Sequence, residues 1–340
     1  MAARDIIVIG TSTGGVEALA QLARGLPPGF PASLFVVCHF PPGGRSILPD
    51  ILSRSGPLLA THARDGEVFQ PGHVYVAPPD YHLLLGPDRG MVLNRGAREN
   101  HFRPAVDPLF RSAAREYGNR VIGVILTGAM YDGTAGLIAV RAAGGVAVVQ
   151  DPRDAVVAAM PQNATEIAGA DHVVPVARMA PVLADLVTEP VSSTERTPAM
   201  DPIERMPDVA ARDMERQANN ERRGEVSTYT CPECGGSLWQ VDEAGLVRFR
   251  CHVGHAYNGE ALLAEQSLAL EAALWTAVRT FKEKSVLARQ LAVAEVAKGD
   301  RAAAGRFAEQ AEQAREYSEL IQRHVLTGNG QKPVPGPGTT

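Results

Sequence analysis

Residues 5–15 read DIIVIGTSTGG, and this stretch decides the fold. Ile6, Ile7, Val8 and Ile9 form an unbroken apolar run, as expected of a strand buried on both faces. Gly10-Thr11-Ser12-Thr13-Gly14-Gly15 follows at once, and Val16-Glu17-Ala18-Leu19-Ala20 then reads as a helix. The segment is a strand, a tight glycine turn and a helix start, with Ser12 at the bend. A helix N-terminus leaves backbone N–H groups without intrahelical partners, so a hydroxyl here stands beside ready anion donors. Gly10-x-Ser12-x-Gly14 fits the nucleophile-elbow pattern of serine hydrolases. A phosphate or dinucleotide loop competes with this reading, but the segment lacks both the GxGxxG spacing and a Gly-Lys-Ser/Thr ending. A purely structural turn stays open.

Outward from this turn, residues 1–187 alternate β-branched runs with alanine-rich stretches. Strands are expected at Ile6–Ile9, Leu34–Cys38, His73–Ala77, Met91–Asn94, Val121–Thr127, Val146–Gln150 and Val173–Pro175. Helices are expected at Val16–Arg24, Ile47–Ser55, Pro104–Tyr117, Ala135–Ala143, Asn163–Ala168 and Pro181–Leu186. Such alternation implies an α/β fold, a doubly wound and mostly parallel sheet covered on both faces. His73–Ala77 and Met91–Asn94, close in sequence, read as an antiparallel hairpin at one edge.

Ligands of such sheets bind beyond the carboxyl ends of the strands, where strand order reverses. Ser12 follows the first strand, His39 follows Leu34–Cys38, and Asp132 follows Val121–Thr127 after a short loop. A serine, a histidine and an acid on one rim are the set for nucleophilic acyl transfer: the histidine takes the serine proton and the acid orients the imidazole. Each also has an ordinary reading. A histidine after a strand is commonly a surface residue, and Asp132-Gly133-Thr134 suits a turn or helix cap. His62, His73, His82, His101 and His172 are further histidines, and topology disfavours His73, His82 and His172.

The chain of 340 residues, 45% hydrophobic with a net charge of −5, is long enough for two domains and gives no reason to expect a nucleic-acid partner. It has no apolar stretch of transmembrane length and no signal peptide at its start, so a cytoplasmic location is expected.

The segments IGTSTGG (9–15), VVCHFPPG (36–43), DGEVFQPGHVYVAPPDYHLLL (65–85), FRPAVDPLF (102–110), ILTGAMYDGTAGL (125–137) and AAMPQNA (158–164) together resemble the catalytic domain of the chemotaxis protein-glutamate methylesterases. The resemblance covers about residues 5–187. It implies Ser12 as nucleophile, His39 as general base and Asp132 as orienting acid, with no cofactor for catalysis. It implies hydrolysis of glutamate γ-methyl esters on the cytoplasmic helices of chemoreceptors, releasing methanol, with glutamine deamidation as a related activity. The partner would be a methylated, methyl-accepting receptor, approached peripherally without membrane insertion. The family's receiver domain is not found before residue 6, which points to control in trans by a response regulator or kinase, from the C-terminal part, or not at all. The family usually shows Gly-Met-Gly-Asn before the acid, and this chain has Gly128-Ala129-Met130-Tyr131. Ala129 can still supply an oxyanion N–H, whereas Met130 would alter the loop if the position needs positive φ. Arg103 and Asp107 fit an ion pair at a helix start or a substrate contact.

Beyond residue 187 the composition changes. Residues 188–228 are rich in Pro, Ser, Thr and charge and read as a flexible linker, with room for helical turns at Asp208–Asn219. Residues 229–259 form a small zinc-ribbon-like module: Cys231-Pro-Glu-Cys234 followed by Cys251 and His255 is the spacing of a structural zinc site. His252, next to Cys251, would point away. Three unliganded cysteines are the alternative. A hairpin of Gly236–Val241 and Leu246–Phe249 would surround the ion. Residues 260–327 read as an α-helical hairpin turning at Lys298–Arg301, and 328–340 as a disordered tail. Two functions from other classes stay in view: a signalling adaptor that keeps the methylesterase fold, and a nucleotide-binding protein, which would need phosphate-loop chemistry that the sequence lacks.

Overall fold

The structure, a computed structural model, describes residues 2–40, 46–191, 224–243 and 246–328. The expected helical turns at 208–219, most of the expected linker and nearly all of the expected tail lie outside them. The chain divides into two compact units at Leu262/Leu263.

The first unit opens with strand β1 (Ile6–Thr11), helix α1 (Gly15–Gly25), β2 (Ser33–Cys38), α2 (Leu48–Ser55), β3 (Leu59–His62) and β4 (His73–Val76). Then come β5 (His82–Leu85), β6 (Met91–Asn94), α3 (Val106–Tyr117), β7 (Val121–Ile125), α4 (Thr134–Ala142), β8 (Val146–Gln150), α5 (Ala159–Asn163), β9 (His172–Val174) and α6 (Val176–Thr188). Seven strands form one sheet in the order β9-β8-β7-β1-β2-β4-β3, every neighbouring pair parallel. From β1 the chain adds β2, then the edge strand β3, then β4 between them, and later returns to the other side of β1 with β7. Strand order therefore reverses at β1, the position that opens a crevice in doubly wound sheets.

The apolar run of β1 follows from this geometry. Ile7 and Ile9 face a core with Leu19 and Leu22 of α1, Leu52 of α2 and Leu183 of α6. Ile6 and Val8 face a second core with Leu109 and Phe110 of α3 and Leu137 and Val140 of α4. Alternate side chains enter opposite cores, so no position can be polar. Each fully buried side chain of this size contributes about 1.5–3 kcal/mol.

The fold class is as expected, a parallel sheet with an antiparallel hairpin, but the hairpin has a different first strand. Met91–Asn94 pairs with His82–Leu85. His73–Val76 instead lies inside the parallel sheet, between β2 and β3. β3, with Leu59 60% exposed, lacks the buried run that marks the other strands.

The first unit also holds a short antiparallel pair, Ala2–Ala3 with Pro190–Val191, and a four-stranded antiparallel sheet, β10 (Glu225–Thr230), β11 (Ser237–Glu243), β12 (Leu246–Cys251) and β13 (Ala256–Asn258). The expected hairpin corresponds to β11–β12, and Glu225–Thr230, expected largely as linker, is a strand. Cys231, Leu238, Phe249, Cys251, Tyr257, Ala261 and Leu262 make the small core of this four-stranded module.

Helices α7 (Gly259–Lys298) and α8 (Arg301–Gly328) carry the second unit. They run antiparallel: Ser285 donates to the Ala311 carbonyl at 2.8 Å, and Phe281 packs on Tyr317 with ring centroids 5.5 Å apart. Among the described residues no helix is long and apolar enough to cross a membrane.

Candidate active site

Three strand ends supply the site. Ser12 directly follows β1. Its N–H donates to the Thr127 carbonyl at 3.0 Å, and its carbonyl accepts from Gly15 N–H at 2.9 Å, closing the turn into α1. Gly14 makes that turn possible with φ +79°, and a Cβ there would also meet Val156 at 2.8 Å. Gly128 faces the serine from the loop after β7. A Cβ on it would lie 2.8 Å from Ser12 Cβ and 2.2 Å from Met160 Sδ, so only bare backbone fits beside the hydroxyl.

His39 directly follows β2, and its N–H donates to the Thr11 carbonyl at 3.2 Å. Its ring stacks on Phe102 with centroids 3.6 Å apart and planes 6° from parallel. His39 Nε2 lies 2.8 Å from Asp132 Oδ2. A buried carboxylate at that distance assigns the hydrogen to Nε2 and leaves a lone pair on Nδ1. Nδ1 is buried without a hydrogen-bond partner among the described residues. Ser12 and His39 make no direct hydrogen bond here, as is common before substrate tightens such a site.

Asp132 is fully buried. Beyond His39, it accepts from the Val106 amide at 2.6 Å, Asn100 Nδ2 at 2.9 Å and the Asp107 amide at 3.3 Å. Burial alone would raise its carboxyl. The His39 ring, the Val106 amide and Asn100 outweigh burial and hold it below the usual carboxylate range. The loop before it is pinned by Asn163 Nδ2 donating to the Met130 carbonyl at 2.9 Å and by the Met160 amide donating to Gly128 at 2.8 Å. No described group accepts from the Ala129 or Met130 amide.

A family profile described as CheB methylesterase matches residues 7–183. The chain belongs to the CheB methylesterase family. It is 40% identical over 186 residues to the protein-glutamate methylesterase/protein-glutamine glutaminase 2 of Pseudomonas aeruginosa, covering 54% of this chain and 53% of that one. It is 40% identical over 185 residues to the protein-glutamate methylesterase/protein-glutamine glutaminase of Thermotoga maritima, covering 54% of each. The crystal structure of the Thermotoga maritima CheB methylesterase catalytic domain superposes with a TM-score of 0.53 at 38% identity, covering 55% of this chain and all of that one. The chain thus spans about half the length of these sequence relatives.

Within the CheB methylesterase domain, Met130 has φ +68°, the conformation in which a glycine would be unstrained. Its side chain packs on the small core of the β10–β13 module. Tyr131 hydrogen-bonds Glu260, a bond that pushes the phenol up to about 12. Arg103 and Asp107 do not pair with each other. Arg103 grips Asp80 at 2.6 Å. Asp107, in the first turn of α3, accepts from the Gly133 and Gly136 amides at 3.1 and 2.7 Å and from Asn100 Nδ2 at 2.9 Å. Among the other histidines, His62 and His73 lie on β3 and β4, His172 lies on β9, and His82 is buried against Ala97 and Ala105.

Outside the matched residues, Cys231, Cys234, Cys251 and His255 bring their ligand atoms within 4.8 Å of one another. Cys234 Sγ lies 3.6 Å from Cys251 Sγ, and His255 Nδ1 lies 3.7 and 3.5 Å from the Cys231 and Cys251 sulfurs. Ligands on a tetrahedral zinc stand about 3.6–3.8 Å apart, so these are metal-site spacings. Glu233 Oε2 lies 3.3 Å from His255 Nε2, the outer-shell carboxylate such a ligand commonly has. His252 is exposed and outside the cluster, near Trp239. Cys38, the fourth cysteine, sits in the sheet core, where burial pushes its thiol up to about 12.

Sequence reasoning missed Asn100, Phe102 and Arg248. Phe102 lay in a quoted motif without a role. Asn100 and Arg248 carry no local signal, because Asp132 lies 32 residues from Asn100 and Glu99 lies 149 residues from Arg248.

Proposed function

We propose that this chain hydrolyses glutamate γ-methyl esters on methylated chemoreceptors through Ser12, His39 and Asp132. One observation carries the reading: His39, fixed to buried Asp132 at 2.8 Å, keeps an unpartnered Nδ1 on the rim that carries Ser12. His39 Nδ1 takes the proton as Ser12 Oγ adds to the ester carbonyl. The oxyanion is met by backbone amides, with Ala129 and the start of α1 as donors, each worth about 100–1000-fold in rate. The intermediate collapses as the C–OCH3 bond breaks and the imidazolium returns the proton, releasing methanol. Water, deprotonated by His39, then hydrolyses the acyl-serine to a glutamate carboxylate and restores Ser12. A glutamine side chain would follow the same course and release ammonia.

We further propose that Cys231, Cys234, Cys251 and His255 hold a structural zinc. Four protein ligands leave no open position, which suits support rather than chemistry.

The test is methanol release from methylated receptor by the full chain. Ser12→Ala and His39→Ala are each expected to lower the rate by at least about 1000-fold. No release by the unaltered chain, on receptor that another methylesterase demethylates, would overturn the esterase reading and favour an adaptor built on the same fold.

A further inference from the structure

The β10–β13 module meets the matched domain along the two segments that hold Asp132. β13 forms a parallel bridge between Ala256 and Glu99. The Asn100 amide donates to the Ala256 carbonyl at 2.8 Å, and the Ala256 amide donates to Arg98 at 3.3 Å. Asn100 stands there at φ +50° and His101 at +77°. With its backbone gripped by the module, Asn100 directs both amide hydrogens at carboxylates, Asp107 Oδ2 and Asp132 Oδ1, each at 2.9 Å.

Arg248 of β12 is 2% exposed, among the largest fully buried side chains in the molecule. It lies 3.0 Å from Glu99 Oε2 and 3.6 Å from Asp107 Oδ2. Buried charges persist only where opposite charge meets them, and Arg248 is the buried counter-ion that the module brings into contact with this acidic cluster. The Asp107 carboxyl is raised to about 6: burial raises it most, Arg248 pulls against that rise, and the Asp132 charge adds to it. The second segment carries Met130 at φ +68°, with its half-buried side chain packed against the module core. Non-glycine residues in this region cost on the order of 1–3 kcal/mol each unless their surroundings hold them. Here Asn163, donating to the Met130 carbonyl, and the module core under its side chain do the holding.

We propose that the metal-binding module is part of the esterase site: Arg248 and β13 are positioning elements that act through Asn100 and Asp107 to set Asp132 against His39. This rests on the esterase reading for its kinetic consequence but not for its structural one.

The experiment uses the full chain with Asn100→Gly, Arg248→Met and Arg248→Lys. Glycine keeps the left-handed backbone at position 100 and deletes only the bridge between carboxylates. Two readouts are taken: kcat and KM for methanol release, and the downfield proton resonance of the His39 Nε2–H···Asp132 bond, assigned by its loss in His39→Ala. Asn100→Gly is expected to shift or broaden the resonance and lower kcat by about 10- to 100-fold with KM little changed, and Arg248→Lys is expected to recover part of the Arg248→Met loss. The resonance is read whether or not methanol is released, so failure of the esterase reading is seen separately. Should Arg248→Met fail to fold, Asn100→Gly alone decides. An unchanged resonance in folded Asn100→Gly, with kcat within twofold of the unaltered chain, overturns the proposal.

Discussion

The parallel sheet and the β10–β13 module solve the same problem with opposite means. The sheet has apolar residues to spare: alternate side chains of β1 enter two separate cores, and the backbone at its rim is free to present Ser12, His39 and Asp132. Among the described residues the module has a core of seven, and Met130 of the matched domain packs against them. Segments of about 40 residues rarely fold on apolar burial alone. This one sets three cysteines and a histidine at metal spacing and ties itself down with a buried arginine. Where burial is abundant, polar groups are available for chemistry. Where it is scarce, they are consumed by structure. The seam between the regions is where the two uses overlap, because Glu99, Asn100 and Asp107 serve both.

Metal removal should break the comparison most sharply. Structural zinc contributes on the order of 10 kcal/mol or more to small modules. A chelator, or Cys251→Ser, is therefore expected to abolish amide protection across 225–262 while the β1, β2 and β7 amides stay protected. Hydrogen exchange with mass detection reads both regions in one sample. Equal loss of protection in the sheet would show that the sheet is not self-sufficient.

What the sequence disclosed divides along the same line. DIIVIGTSTGG announced strand, turn and helix because all three signals are local, and Cys231, Cys234, Cys251 and His255 announced themselves by spacing. The partner of Met91–Asn94 was illegible, because apolar runs such as His73–Ala77 and His82–Leu85 look alike and pairing is decided by distant strands. Leu59–His62 was missed because one of its faces is in solvent. The position of Met130 could be flagged as one that would favour glycine, but not its reason. That reason lies in a core more than 100 residues away, formed by Cys231, Leu238 and Tyr257.

A smaller effect should come from the charge cluster, and it has a sign. Asp107 faces Asp132, Glu99, Arg111 and Arg248. Its carboxyl holds its proton more tightly in the fold than in the unfolded chain. The stability from this group is thus fully present below pH 3.8 and lost as pH rises through about 6. Glu99 works oppositely. Burial would raise it, but Arg111, Arg248 and Arg250 hold it well below 4.5, so its contribution is lost only in acid. Arg248→Met removes the stronger of the two cations that lower Asp107, leaving Arg111. Its stability deficit should therefore grow between pH 5 and 7, by at most about 1.4 kcal/mol per pH unit. Urea unfolding at several pH values measures this, and an equal deficit at pH 5 and pH 8 would sink Asp107 as the responsible group.

The smallest change in stability is expected at Met130. Met130→Gly relieves a left-handed methionine, worth about 1–3 kcal/mol, and deletes a half-buried side chain of about 1–2 kcal/mol from the module core. The two nearly cancel, so the melting temperature should move by only a few degrees. The effects nonetheless fall on different regions: the relief is local to the Asp132 loop, and the loss belongs to the module. Hydrogen exchange should therefore show weaker protection at Leu238 and Phe249 against an unchanged sheet. If those amides kept full protection, Met130 would be a tolerated strain rather than a contact the two regions share, and the module would reach the site through Arg248 and β13 alone.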